Sequence, residues 1–227
     1  MAVDPQLKSS LPTLLSSLPP VVRLVAVSKT VGSEQIRWAY DCGVRDFGES
    51  RLQEALPKMV ALADLPDITW HFIGRLQANK ARRIIENFSW IHSVTDLAIA
   101  ERLNRLAAEL QRRPQVCLQV KLWQDDQKLG WSEAQLWQAL NQLQHLDNLD
   151  WRGLMAILPV GLTPPERLEC FQRVAHLAQR LRAQSSLPLT ELSLGMSGDY
   201  REAIAAGATM VRLGSIIFGA RSSPNSI

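Results

Sequence analysis

The run Arg23-Leu24-Val25-Ala26-Val27-Ser28-Lys29-Thr30 is apolar and β-branched until it meets a lysine. A partly desolvated amine of this kind is a nucleophile that condenses with an aldehyde to form a Schiff base. A lysine that merely opens a solvated loop is the commoner case, so Lys29 acquires meaning only from its neighbours. Two later stretches matter here, "GMSGDYRE" (195–202) and "RLGSIIFG" (212–219). Gly195, Gly198 and Gly214 let backbone approach an anion, Ser197 and Ser215 offer hydroxyls, and Asp199 to Glu202 has capping-box spacing for a following helix. Arg212 stands inside an apolar run, where a guanidinium that keeps its proton needs a partner. One partner is a carboxylate on a neighbouring strand, such as Glu49. The other is the ring nitrogen of a cofactor. An amine for an aldehyde, a phosphate cradle and a cation for a ring nitrogen are the needs of pyridoxal 5'-phosphate.

These residues are far apart in the chain, and the architecture must gather them. Short β-branched runs alternate with amphipathic patterns, which predicts strands over 22–28, 45–49, 70–74, 90–94, 115–122, 151–158, 190–195 and 209–217. Such an alternation, with no long unassigned tract, fits a closed (β/α)8 TIM barrel. Active sites in such barrels lie at the C-terminal ends of the strands, and phosphate sites favour the loops after strands 7 and 8. Side chains alternate along a strand, so Val25, Val27 and Lys29 share the face that points into the barrel mouth. Ser33 is placed to cap the helix after strand 1 and Gly43 to end it, while Leu97, Ala100, Leu103 and Leu110 mark a later helix. An extra N-terminal helix is expected over 5–18 and a loose tail over 220–227. Residues 1–227 then form a single barrel domain.

Composition narrows the class. With 46% hydrophobic and 21% charged residues and a net charge of +3, the chain has the make-up of an ordinary soluble protein. Its basic residues are scattered apart from Lys80, Arg82 and Arg83, which read as a solvated helix face, so nucleic acid is not an expected partner. Cys42, Cys117 and Cys170 are widely spaced and fit neither a zinc site nor a disulfide framework; they suggest buried thiols in a reducing compartment. No apolar run approaches the roughly 18 residues of a membrane span, and a cytoplasmic, monomeric protein is expected. His71, His92, His145 and His176 read as core or surface residues. Trp131 and Trp137 are possible interface markers, although Trp137 lies at helical spacing with Leu136 and Leu140.

The motifs resemble one family throughout. "LVAVSKT", "DFGESRLQEA", "WHFIGRLQANK", "IHSV", "GLMAILP" and "LSLGMSGDYREAIAAGATMVRLGSIIFG" are similar to the YggS/PROSC pyridoxal phosphate-binding proteins, whose fold resembles the N-terminal barrel of alanine racemase. The resemblance implies that Lys29 is the Schiff-base lysine and Arg212 the pyridine-nitrogen partner. It also implies phosphate contacts from Ser197, Gly214 and Ser215, with Met196 near the ring. Two departures stand out: Ser50 occupies the usual asparagine position after strand 2, and Val120-Lys121-Leu122-Trp123 places bulk and charge near the mouth.

Three functions are then open. The first is a carrier in vitamin B6 homeostasis with little or no amino-acid turnover, which supplies cofactor to apo-enzymes or acts with a regulatory protein. The second is an amino-acid racemase, which needs a second base opposite Lys29. Only Tyr40 and Tyr200 offer a phenol, and both fall in expected helices. The third is a regulatory interaction module with a structural cofactor.

Overall fold

A computed structural model describes residues 5–123 and 129–219, with residues 5–10 as backbone alone. A leading helix α1 (Pro5–Ser17) precedes the barrel, in which strands and helices follow in turn. The first half runs β1 (Arg23–Val27), α2 (Ser33–Asp41), β2 (Asp46–Glu49), α3 (Leu52–Ala61), β3 (Thr69–Phe72), α4 (Ala81–Asn87), β4 (Trp90–Val94) and α5 (Leu97–Glu109). The second runs β5 (Gln115–Gln119), α6 (Glu133–Gln144), β6 (Asp150–Met155), α7 (Pro164–Ala183), β7 (Glu191–Ser193), α8 (Tyr200–Ala205), β8 (Met210–Leu213) and α9 (Ser215–Phe218). The strands close in chain order, β8 pairing in parallel with β1. The expected loose tail, Ala220–Ile227, lies outside the described residues.

Alternation along the strands divides the buried side chains into two cores. Phe47, Ile91, Leu118, Leu154 and Val211 face outward and join the large cluster beneath the helices, each large side chain contributing about 1.5–3 kcal/mol of burial. Val25, Trp90, Cys117, Met155 and Met210 form a separate small cluster inside the barrel. That inner cluster is too small to fill a barrel by itself. Buried His71, His92, Ser193 and Arg212 occupy the remaining interior positions.

Three expected strands run too far by three residues or more. The 209–217 run stops at Leu213, because Ile217 and Phe218 donate their N–H groups to the Gly214 carbonyl at 2.9 Å each and close a helical turn. The 115–122 run ends at Gln119, where Trp131 returns to make a single bridge with Val120. The 151–158 run ends at Met155, short of Pro159, whose missing N–H cannot extend a ladder.

Helix ends give one agreement and one correction. Gly43 ends α2 as expected, at φ 103°, with its N–H on the Tyr40 carbonyl at 2.8 Å and that of Val44 on Ala39 at 3.1 Å, the paired bonds of a Schellman motif. Ser33 does not cap α2. Gly32 has the extended backbone of the cap position, and Ser33 is already helical. Trp131 is buried and Trp137 half-buried, its indole N–H donating to Glu133. Arg82 pairs with Glu109, in keeping with a solvated face. No helix among the described residues is long and apolar enough to cross a membrane.

Candidate functional site

At the C-terminal end of β1 the chain is clamped from outside the barrel. Ser28, fully buried, donates its hydroxyl to Glu49 Oε1 at 2.6 Å. Lys58 Nζ donates to that same carboxylate oxygen and to the Ser28 carbonyl, both at 2.8 Å. Ser28 therefore turns outward, and the two-residue repeat that points Val25 inward carries through Val27 to half-buried Lys29 at the mouth. Thr30 follows at φ 66°, a left-handed conformation that a β-branched residue adopts only when its surroundings impose it. Its N–H reaches Glu54 Oε2 at 3.3 Å and its hydroxyl the Lys29 carbonyl at 2.5 Å. The backbone on both sides of Lys29 is thus fixed by side chains of α3 and the end of β2.

The loops after β7 and β8 meet this strand end. The Gly214 N–H donates to Ser197 Oγ at 3.3 Å. A Cβ on Gly214 would lie 3.3 Å from both the Cβ and the carbonyl oxygen of Val27, two residues before Lys29. Ser215 is exposed and opens α9 directly after Gly214, and Met196, 38% exposed, precedes Ser197. Asp199 does not form the expected capping box. Its Oδ1 accepts from the Met196 N–H at 2.6 Å, so the carboxylate braces the loop and leaves the start of α8 uncapped by a side chain. Gly195 is needed where it stands: its φ is 82°, and an added Cβ would sit 2.6 Å from that of Ala203. Among the described residues nothing lies within 4 Å of the corresponding position on Gly198, so none of them requires a glycine there.

Arg212 is only 3% exposed and is held inside the barrel. Its guanidinium donates through one terminal nitrogen to the carbonyl and, at 2.7 Å, to the hydroxyl of Ser193; through the other it donates to the Ala156 carbonyl at 2.8 Å. The pairing with Glu49 does not form, because Glu49 faces outward to Lys58. Among the described residues no carboxylate makes an ion pair with Arg212. Burial brings its pKa down to about 10, so at neutral pH it remains a sealed cation. Register places Arg212 opposite Val25 of β1, beneath Lys29 in the direction of the mouth.

His71 and His92, apart in the sequence, are joined in the fold. Asp46 Oδ1 meets His71 Nε2, His71 Nδ1 meets His92 Nε2, and His92 Nδ1 meets Ser193 Oγ, each at 2.8 Å. Both imidazoles are fully buried, which lowers the pKa of His71 and lowers that of His92 further, the charges of His71, Arg212 and Arg23 adding to the effect. Burial also pushes the Cys117 thiol up to about 12. The available signal was inward parity: Asp46, His71, His92 and Ser193 are polar residues at barrel-facing positions of the second, third, fourth and seventh runs.

Pyridoxal phosphate can be tested against these residues. An amine at the mouth, a fixed guanidinium beneath it and a loop held against Val27 with no side chain on Gly214 fit its aldehyde, ring nitrogen and phosphate. A groove of about 560 Å³ lined by Thr95, Asp96, Lys121 and Trp131 takes none of its lining from these residues.

Residues 6–222 match the family model "Alanine racemase, N-terminal domain". The pyridoxal phosphate homeostasis protein of Synechocystis is 58% identical over 92% of this chain and 95% of its own length. The protein of the same name from Pseudomonas aeruginosa is 44% identical over 89% of this chain and 86% of its own. PipY of Synechococcus elongatus, solved with PLP bound, superposes with a TM-score of 0.91 at 50% identity, over 94% of this chain and 100% of that one. An alanine racemase of Clostridium difficile shares the fold at a TM-score of 0.77 and 15% identity, this chain spanning 59% of its length. The chain therefore belongs to the family of pyridoxal phosphate homeostasis proteins, built on the alanine racemase N-terminal barrel.

Proposed function

We propose that this chain binds pyridoxal 5'-phosphate through Lys29 and serves vitamin B6 homeostasis as a carrier, with little or no amino-acid turnover. When bound, the cofactor supplies an aldehyde for amines and a ring that withdraws electrons from them. Lys29 presents the amine. Arg212, anchored by Ser193 and Ala156, donates to the ring nitrogen and, because it keeps its own proton, leaves that nitrogen unprotonated and the ring a weak electron sink. The loop of Met196, Ser197, Gly214 and Ser215 receives the phosphate.

The observation that carries the carrier reading is that, among the described residues, both tyrosine hydroxyls and the imidazoles of His71, His92 and His145 are engaged with partners elsewhere in the fold. The Tyr40 hydroxyl donates to Asp67, and its ring lies 3.8 Å beneath the Arg45 guanidinium, on the outside of the barrel. The Tyr200 hydroxyl accepts from Arg201 on its own helix at 3.4 Å. His71 and His92 are sealed inside the barrel, and His145 lies on the surface against the Asn141 carbonyl. The names of the relatives, homeostasis proteins and not enzymes, support the same reading. Three free thiols, Cys42, Cys117 and Cys170, accord with a cytoplasmic setting.

Protein incubated with the cofactor and desalted should keep a visible absorption band, which Lys29→Ala removes and Arg212→Gln shifts. Wild-type protein that retains no cofactor would contradict the reading. A panel of L-amino acids should yield no D-enantiomer at enzymatic rates; steady turnover would replace the carrier with a racemase.

A further inference from the structure

Polar groups facing into the barrel form one continuous chain. It starts at Asp46, at the N-terminal end of β2, crosses His71 and His92 and reaches Arg212 through Ser193, with links of 2.8, 2.8, 2.8 and 2.7 Å. Arginine can only donate hydrogen bonds and an ionised carboxylate can only accept them. With both rings neutral, the carboxylate end sets the direction of every link, because the serine oxygen by itself could accept from Arg212 and from an imidazole alike.

Arg212 donates to Ser193 Oγ, so the serine hydroxyl is free to donate to His92 Nδ1. That nitrogen carries no proton, and neutral His92 holds its proton on Nε2, pointing at His71 Nδ1. His71 likewise carries its proton on Nε2 and gives it to Asp46. All four links are satisfied in this one arrangement, with both rings neutral and in the same tautomer. Adding a proton to either ring reverses a link, which places two donors face to face unless its neighbours also switch.

We propose that Ser193, His92 and His71 are positioning residues for Arg212, a hydrogen-bond chain anchored on Asp46 that holds the guanidinium as a fixed donor to the ring nitrogen at the barrel mouth. This rests on the cofactor reading for its target, whereas the order it imposes on Arg212 belongs to the chain itself. The charged and titratable groups facing the two rings are Arg23, Asp46 and Arg212, with Arg23 3.9 Å from Asp46 and its guanidinium 5.3 Å from the Trp90 ring. Cys117, buried and held as the thiol, and Glu191, bonded to Thr209 at 2.6 Å, complete the interior set. Burial opposes protonating either ring, against the pull of Asp46 on His71 and with the charges of Arg212 and Arg23 adding to it at His92, which favours the neutral arrangement.

The test uses nitrogen-15 NMR of the cofactor-free, full-length protein. His71 and His92 should both be neutral with the proton on Nε2, and the terminal nitrogens of Arg212 should give separate, slowly exchanging signals. Ser193→Ala and His92→Phe should merge or shift those Arg212 signals, and Ser193→Thr, which keeps the hydroxyl, should restore them. If His92→Phe does not fold, Ser193→Ala and the rim substitution Asp46→Asn carry the test, the latter by mixing the tautomers. Either ring with its proton on Nδ1, or Arg212 signals indifferent to Ser193→Ala and Asp46→Asn, would overturn the proposal. In loaded protein, Ser193→Ala should shift the absorption band and weaken retention by about tenfold, as expected for one hydrogen bond to a charged group. Wild-type protein that binds no cofactor yet shows the ordered Arg212 and both tautomers would uphold the chain and refute the cofactor reading alone.

Discussion

Replacing Lys58 by methionine removes the cation from the clamp behind Lys29. Glu49 is fully buried and the Lys58 side chain is 12% exposed, so the pair is screened little by solvent. The substitution leaves a carboxylate without its counter-charge, and Glu49 Oε2 already lacks a hydrogen-bond partner among the described residues. Breaking a buried pair in this way costs about 3–5 kcal/mol, a large share of the roughly 5–15 kcal/mol that holds a domain folded. In a chain of this size the midpoint of thermal unfolding should fall by about 6–20 °C. The Ser28 carbonyl also loses its donor, so cofactor uptake at Lys29 should slow even below the new midpoint. Urea titration provides the assay, with Arg37→Ala as comparator. The Arg37–Asp64 pair has side chains 40% and 60% exposed, and a solvent-screened pair of this kind contributes little to stability. Adding Glu49→Gln to Lys58→Met should recover most of the loss. If Lys58→Met costs no more than Arg37→Ala, the clamp is a surface ion pair and the reasoning fails.

Stability should also depend on pH through the interior histidines. Burial lowers the pKa of His71 and His92, so near and below the usual value of about 6.5 the unfolded chain binds protons that the folded one refuses. The two groups therefore stabilise the fold fully above that pH and lose their contribution as pH falls through it, at a limiting slope of about 2.7 kcal/mol per unit for two protons. Urea titrations between neutral and mildly acidic pH should show the decline, and His71→Phe with His92→Phe should flatten it; a flat wild-type profile would refute neutral burial. Gly195→Ala, which forces a Cβ to 2.6 Å from Ala203 at φ 82°, should destabilise by about 1–3 kcal/mol, whereas Gly198→Ala should cost well under that in the same thermal melts.

The barrel was legible because period-two and helical patterns alternate cleanly, and the lysine was legible because it interrupts such a pattern. Strand ends were not: the β-branched "SII" after Gly214 reads as strand, yet a glycine cap and a carbonyl shared by Ile217 and Phe218 turn it into a helix. Asp199 has the spacing of a capping box, and the spacing does not reveal that its carboxylate turns back to the Met196 N–H. Arg212 was visible as an anomaly, but its partners were not. Glu49 is a charge of the right sign two strands away, and only the outward parity of β2 excludes it. The histidine chain was missed because its members lie on β2, β3, β4 and β7, and a link such as His92 to Ser193 spans the closed barrel, which no local pattern encodes.

The central claim is that Lys29 is the residue that holds pyridoxal phosphate. Full-length protein loaded with the cofactor, reduced with borohydride and mapped by peptide mass spectrometry should carry one pyridoxyl group, on Lys29. A label on Lys58, Lys121 or another lysine with Lys29 unmodified, or no label at all, would contradict it.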